Sequence, residues 1–167
     1  METPKLNTLK KELLKLPAQE LVNCLTRLAK YKVENKELLN FLLFYQENTD
    51  DYITEIKQII EDAFDGLPTS DYLKIKVLRK AIRIMNKHLK FVAEKKQDTE
   101  LLLFFCQIFI EKRVYRTKLR ALQNLFIRQF MRLQKSIDKL EEDLQFDYGR
   151  ELEELLKKIR KNKISLE

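Results

Sequence analysis

Hydrophobic residues recur at three- and four-residue spacing along most of the chain, the period at which side chains share one face of an α-helix. Thr3-Pro4 predicts the start of a first helix, a capping hydroxyl followed by Pro at the first helical position. Leu6, Leu9, Leu13, Leu14 and Leu16 supply its apolar side. Pro17 predicts a corner, after which Leu21, Val22, Cys24, Leu25, Leu28 and Ala29 mark a one-sided second helix. Asn35 is expected to cap a third helix, from Lys36 to about Glu47. Its Leu38–Phe44 run is apolar nearly all round, which predicts burial between neighbours. Asn48-Thr49-Asp50 predicts a break and a cap before a fourth helix over 51–64, which Gly66 ends.

Leu67-Pro68-Thr69-Ser70 is the clear mid-chain linker, and a long fifth helix is expected over 71–96. Asp98 is expected to cap a sixth helix over 99–115, again nearly all apolar in Leu101–Ile110. No Gly or Pro interrupts 116–145, which predicts one continuous seventh helix. Tyr148-Gly149 is the expected break before a last helix lined by Leu152, Leu155, Leu156 and Ile159. The expected fold is all-α: seven or eight helices packed as antiparallel hairpins, as a bundle or a short α-solenoid. Residues 1–148 are assigned to the helical domain, and 149–167 to a charged C-terminal helix and tail packed on it.

Composition narrows the alternatives. With 2 Gly and 3 Pro in 167 residues, the chain cannot supply the many tight turns of a β-sandwich or barrel. Its 44% hydrophobic content supports a packed core. No apolar run approaches the roughly 20 residues of a membrane span. The opening Met1–Lys5 lacks the basic and apolar pattern of a secretory signal. Cys24 and Cys106 are too few for a disulfide scaffold, and both sit among apolar neighbours. These features predict a cytoplasmic protein with two buried thiols.

Glu37-Leu38-Leu39-Asn40-Phe41 returns 63 residues later as Glu100-Leu101-Leu102-Leu103-Phe104, and Asn23 and Asn86 share that offset. An amphipathic helix followed by an apolar one thus occurs twice, a pattern that stacked helical hairpins would produce. The segment Leu9-Lys10-Lys11-Glu12-Leu13-Leu14-Lys15-Leu16-Pro17-Ala18-Gln19-Glu20-Leu21-Val22 resembles the start of a family of small, uncharacterised bacterial all-helical proteins, as does Lys36–Phe44. The resemblance covers the first third of the chain. It implies a cytoplasmic bacterial helical protein and carries no active site.

Catalytic signatures are missing from the pattern. His88 is the one histidine, and with Cys24 and Cys106 it makes three Cys/His residues, one short of a structural zinc set. A di-iron bundle needs two Glu-x-x-His motifs, and position 85 is Met. Gly66 and Gly149 cannot form a phosphate loop. No cofactor or metal is expected, and His88 reads as a packed or boundary residue. Asp50 and Asp51 suit a helix N-terminus. Glu61, Asp62 and Asp65 lie near a C-terminus, so they are expected to face basic residues.

Charge is the sharpest feature. The net +7 hides a split: 72–139 carry 18 basic and 5 acidic residues, whereas 1–71 are net −4 and 140–167 net −2. With Lys76 at 0° and about 100° per residue, Arg79, Lys80, Arg83, Lys87 and Lys90 all fall within about 60° of one line. Leu73, Val77, Leu78, Ile82, Met85, Leu89 and Val92 are assigned to the inward side. Arg116, Arg120, Arg128, Arg132, Lys135 and Lys139 form a looser band on the seventh helix. Leu133, Ile137, Leu140 and Leu144 have seam-like spacing, which fits either a homodimer contact or packing within the chain against the last helix.

The leading expectation is a non-catalytic interaction module whose face of Lys76, Arg79, Lys80, Arg83, Lys87 and Lys90 binds an acidic protein or nucleic acid. The alternatives are an enzyme with a pocket assembled from scattered residues, and a purely structural helical protein.

Overall fold

The computed structural model describes residues 2–166, which contain eight α-helices and no strand. The chain divides after Glu47 into two compact units. The all-α expectation is met, and the differences lie in where helices end and which faces they bury.

The first unit contains α1 (Leu6–Leu13), α2 (Ala18–Tyr31) and α3 (Val33–Phe44). The first helix is capped at Lys5 and not at Thr3. Lys32 alone separates α2 from α3. With so short a connection the two helices pack as a hairpin, and Asn35 Nδ2 clamps the corner by donating to the Leu28 carbonyl at 2.8 Å. Asn35 is therefore a corner clamp inside α3 and not its cap. The apolar run of α3 is also less buried than its composition predicts. Phe41 is buried, but Leu42, Leu43 and Phe44 are exposed.

The second unit contains α4 (Thr49–Asp65), α5 (Asp71–Val92), α6 (Lys95–Glu111), a short 3-10 turn (Val114–Arg116), α7 (Arg120–Ile137) and α8 (Glu142–Lys161). Helix α6 is its centre and packs against α4, α5, α7 and α8. That position explains why most of α6 is apolar, while a narrow stripe of Lys96, Glu100, Phe104 and Gln107 stays half-exposed. Its buried Thr99 is satisfied by the Lys95 carbonyl at 3.0 Å and by Ser136 Oγ of α7 at 2.7 Å. A chain of aromatic rings forms the core. Phe64 meets Phe105 edge-on at 5.3 Å, and Phe109 stacks on Phe126 at 4.7 Å.

Two breaks depart from the expected boundaries. Helix α5 ends at Val92 because Ala93 takes a left-handed conformation (φ 56°) and its N–H bonds to the Leu89 carbonyl. Helix α6 then starts directly at Lys95. The single helix expected over 116–145 is two, separated at 138–141. Leu140 is buried in that corner. Gln145 Nε2 donates to the Leu140 carbonyl at 2.8 Å, and Glu142 and Asp143 occupy the first turn of α8, where acidic groups favour the helix dipole. In turn, α8 runs unbroken through Tyr148-Gly149. The 148/149 boundary therefore falls inside α8.

The α7–α8 corner also changes the reading of the proposed seam. Leu133 and Ile137 are buried on α7, Leu140 is buried in the corner, and Leu144 is half-buried on α8. The four belong to three different elements and do not present one exposed face.

Candidate interaction surface

Helix α5 holds its apolar side, Ile75, Leu78, Ala81, Met85, Leu89 and Val92, inside the second unit. The opposite side must then carry its cations outward. Lys76, Arg79, Lys80, Arg83 and Lys90 are exposed. Among the described residues, no carboxylate forms an ion pair with any of these five. Lys87 departs from the pattern: it is half-buried and is not free of partners. Leu73, expected inward, is 46% exposed. Its angular position, about +60° from Lys76, places it at the edge of the outward side.

Several acidic residues of the second unit are engaged elsewhere. Lys112 bonds to Asp65, whose carboxylate holds that ammonium above its ordinary pKa. Glu100 pairs with Lys57 at 2.5 Å, and Glu111 with Lys158 at 3.7 Å. Asp62 accepts from Gln58. Asp71 bonds to Lys74 and Thr117, which hold its carboxyl below the ordinary range. The expected pairing of Asp65 with a basic residue is thus found, with Lys112 just past the end of α6 and not with the α5 stripe.

Tertiary packing adds to the surface what helical angles alone do not. Helix α7 packs beside α5. Arg79 and Ile82 of α5 line a groove of about 250 Å³ together with Asn124, Leu125, Arg128 and Gln129 of α7. One cation of the stripe and one of the looser α7 band therefore share a groove. Farther along, Asn86 and Lys90 of α5 line a second opening with Lys95 and Asp98 of α6 and Arg132 of α7. Burial raises the Asp98 carboxyl, and Arg132 and Lys139 oppose that rise. Arg132 donates to Gln129 at 2.8 Å, which ties it to its own helix.

Tyr72 is the residue that the charge pattern missed. It lies about 40° from Lys76 on the stripe side, one turn earlier, and is 64% exposed. Lys76 Nζ sits 4.5 Å from the centre of its ring. The same angular count that found the cations contains Tyr72, so the signal was present in the sequence.

The candidate chemical residues fall into ordinary structural roles. Tyr52 Oη and His88 Nδ1 are 2.5 Å apart, and the imidazole also meets Phe91 edge-on. Cys106 is buried, and burial pushes its thiol pKa up; Cys24, expected buried, is exposed. Among the described residues, no group of three or more Cys, His, Asp and Glu side chains is placed to hold a metal ion, and no helix is long and apolar enough to cross a membrane. No protein-family model, curated protein or solved structure matches the chain.

Proposed function

We propose that the protein is a non-catalytic interaction module that binds a multiply charged acidic partner through the α5–α7 face. The observation that carries this reading is the row of exposed cations Lys76, Arg79, Lys80, Arg83 and Lys90, which form no ion pair among the described residues, with Arg128 lining the same groove as Arg79. A cation row left without carboxylates keeps its field available to a partner, and exposed like charges on one helix destabilise the free protein slightly. A polyanion relieves that repulsion. Lys87 belongs to the row by angle, but its partial burial gives it a supporting place at most. The setting proposed is the cytoplasm, where thiols such as Cys24 and Cys106 stay reduced.

The test is a charge reversal confined to exposed positions. Arg79→Glu, Arg83→Glu and Arg128→Glu remove no buried group, so the helical circular dichroism should match wild type. Wild-type protein is expected to bind labelled polyglutamate or mixed-sequence nucleic acid in low salt, and the triple variant to lose at least about tenfold in affinity. Equal binding by the two proteins, or no binding of any polyanion by wild type, contradicts the proposal.

A further inference from the structure

Resting on that reading, we infer that the polyanion is a single-stranded nucleic acid, with its backbone along the α5 ridge and one base stacked on Tyr72. Tyr72 and the cations form one surface element. From Tyr72 to Lys90 the ridge runs about 27 Å, at 1.5 Å per residue, with the aromatic at one end and basic residues along the rest. The ring is exposed, and the Lys76 ammonium lies against it. A base stacking on that ring brings its phosphate within reach of the same ammonium.

The character of the ridge separates this partner from an acidic protein. Protein interfaces take most of their energy from apolar or aromatic anchors in a central, desolvated pocket. Between Lys76 and Lys90 the outward side of α5 offers charged groups and no such anchor. The groove beside it sets Arg79, Arg128 and the amides of Asn124 and Gln129 around the apolar Ile82 and Leu125. Arginine forks and amides suit phosphate oxygens and base edges. The Tyr72 ring stands on the convex side of a helix, where it cannot enter a stacked duplex but can meet the face of an unpaired base.

The test uses the full-length chain and fluorescence anisotropy at about 50 mM salt, where phosphate contacts are strong. The probes are a labelled RNA strand of about 12 nucleotides, the DNA strand of the same sequence, the corresponding duplex DNA, and polyglutamate. The variants are Tyr72→Ala, Tyr72→Phe and, as a control for an exposed neighbour, Leu73→Ala. Single strands should bind more tightly than the duplex. Tyr72→Ala should weaken them roughly tenfold, while Tyr72→Phe and Leu73→Ala stay near wild type. A preference for either sugar is consistent with the inference, since both strands offer stacking faces and phosphates. Single-strand binding unchanged by Tyr72→Ala, or duplex bound as tightly as single strand, overturns it. Polyglutamate bound through Arg79 with no oligonucleotide bound also overturns it, while leaving the acidic-partner reading in place. No polyanion bound at all removes both.

Discussion

Thr117 Oγ1 donates a hydrogen bond to the Asp71 carboxylate and so joins residues 46 positions apart. Asp71 lies in the first turn of α5, and Thr117 lies in the corner that leads into α7. The contact fixes one end of α5 beside the start of α7, and these two helices frame the basic face. The Thr117 hydroxyl in turn accepts from the Leu119 N–H at 3.0 Å, so the corner is held from both sides.

That geometry sets a pH dependence. Lys74 and Thr117 bond to the charged form of Asp71 and lower its pKa in the folded state. A lowered pKa contributes stability above the unfolded-state value and loses it as pH falls through the folded-state value. Asp71→Asn should therefore melt below wild type at neutral pH, and the difference should shrink as pH falls below the ordinary carboxylate range. Thermal melts from pH 7 downward check this. A difference that stays constant with pH contradicts it.

The aromatic core gives a stability prediction. Phe126 is 1% exposed and stacks on Phe109 at 4.7 Å and on Phe130 at 6.2 Å. Phe126→Ala should cost about 3–5 kcal/mol, because it leaves a cavity between α7 and α6 that its neighbours only partly fill. Urea denaturation followed by circular dichroism measures the loss. A cost well under about 1 kcal/mol would mean that this stack does not lie in the core.

The turn between α5 and α6 predicts a gain. Ala93 holds φ 56°, a conformation that costs an L-residue about 1–2 kcal/mol and costs glycine little. Glycine loses part of that advantage through its freer unfolded chain. Ala93→Gly should still raise stability, by about 0.5–1 kcal/mol, with the urea midpoint as readout. A lower midpoint would contradict the left-handed cap.

The break at Ala93 also marks where the sequence stops being informative. Glycine or proline would have announced it, as Gly66 does after α4. An alanine forced into a left-handed cap leaves no local signal, so α5 was expected to run to 96. The 138–141 corner also lacks Gly and Pro, and its cap residue Asp138 keeps a right-handed conformation, so it too leaves no local signal. Gly149 misleads in the other direction: exposed helices tolerate a single glycine, and nothing lies within 4 Å of where its Cβ would stand. Leu38–Phe44 and Leu101–Ile110 look alike as sequences, yet eight of the ten residues of the α6 run are buried and α3 leaves Leu42–Phe44 exposed. Composition describes the helix and not its neighbours. The outward placing of the five exposed cations of α5 was legible because it depends only on helical angle. That Arg79 and Arg128 line one groove was not, because it depends on how α5 packs against α7.

The two thiols should separate cleanly. Cys24 is exposed, and Cys106 is buried with its pKa pushed up by desolvation. Ellman's reagent should titrate one thiol per chain in the native protein and the second only after unfolding. Two fast thiols would place Cys106 at the surface.

The salt dependence of oligonucleotide binding tests the account most directly. Each phosphate contact made by a cation adds about 0.7 to the slope of log affinity against log salt for a single strand. If Arg79 and Arg128 grip the backbone from the two sides of their groove, the double variant Arg79→Ala/Arg128→Ala should flatten that slope by about 1.4. Its far-ultraviolet circular dichroism should not change, because both side chains are exposed. The same slope in the variant and the wild type would mean that the α5–α7 face does not bind the strand.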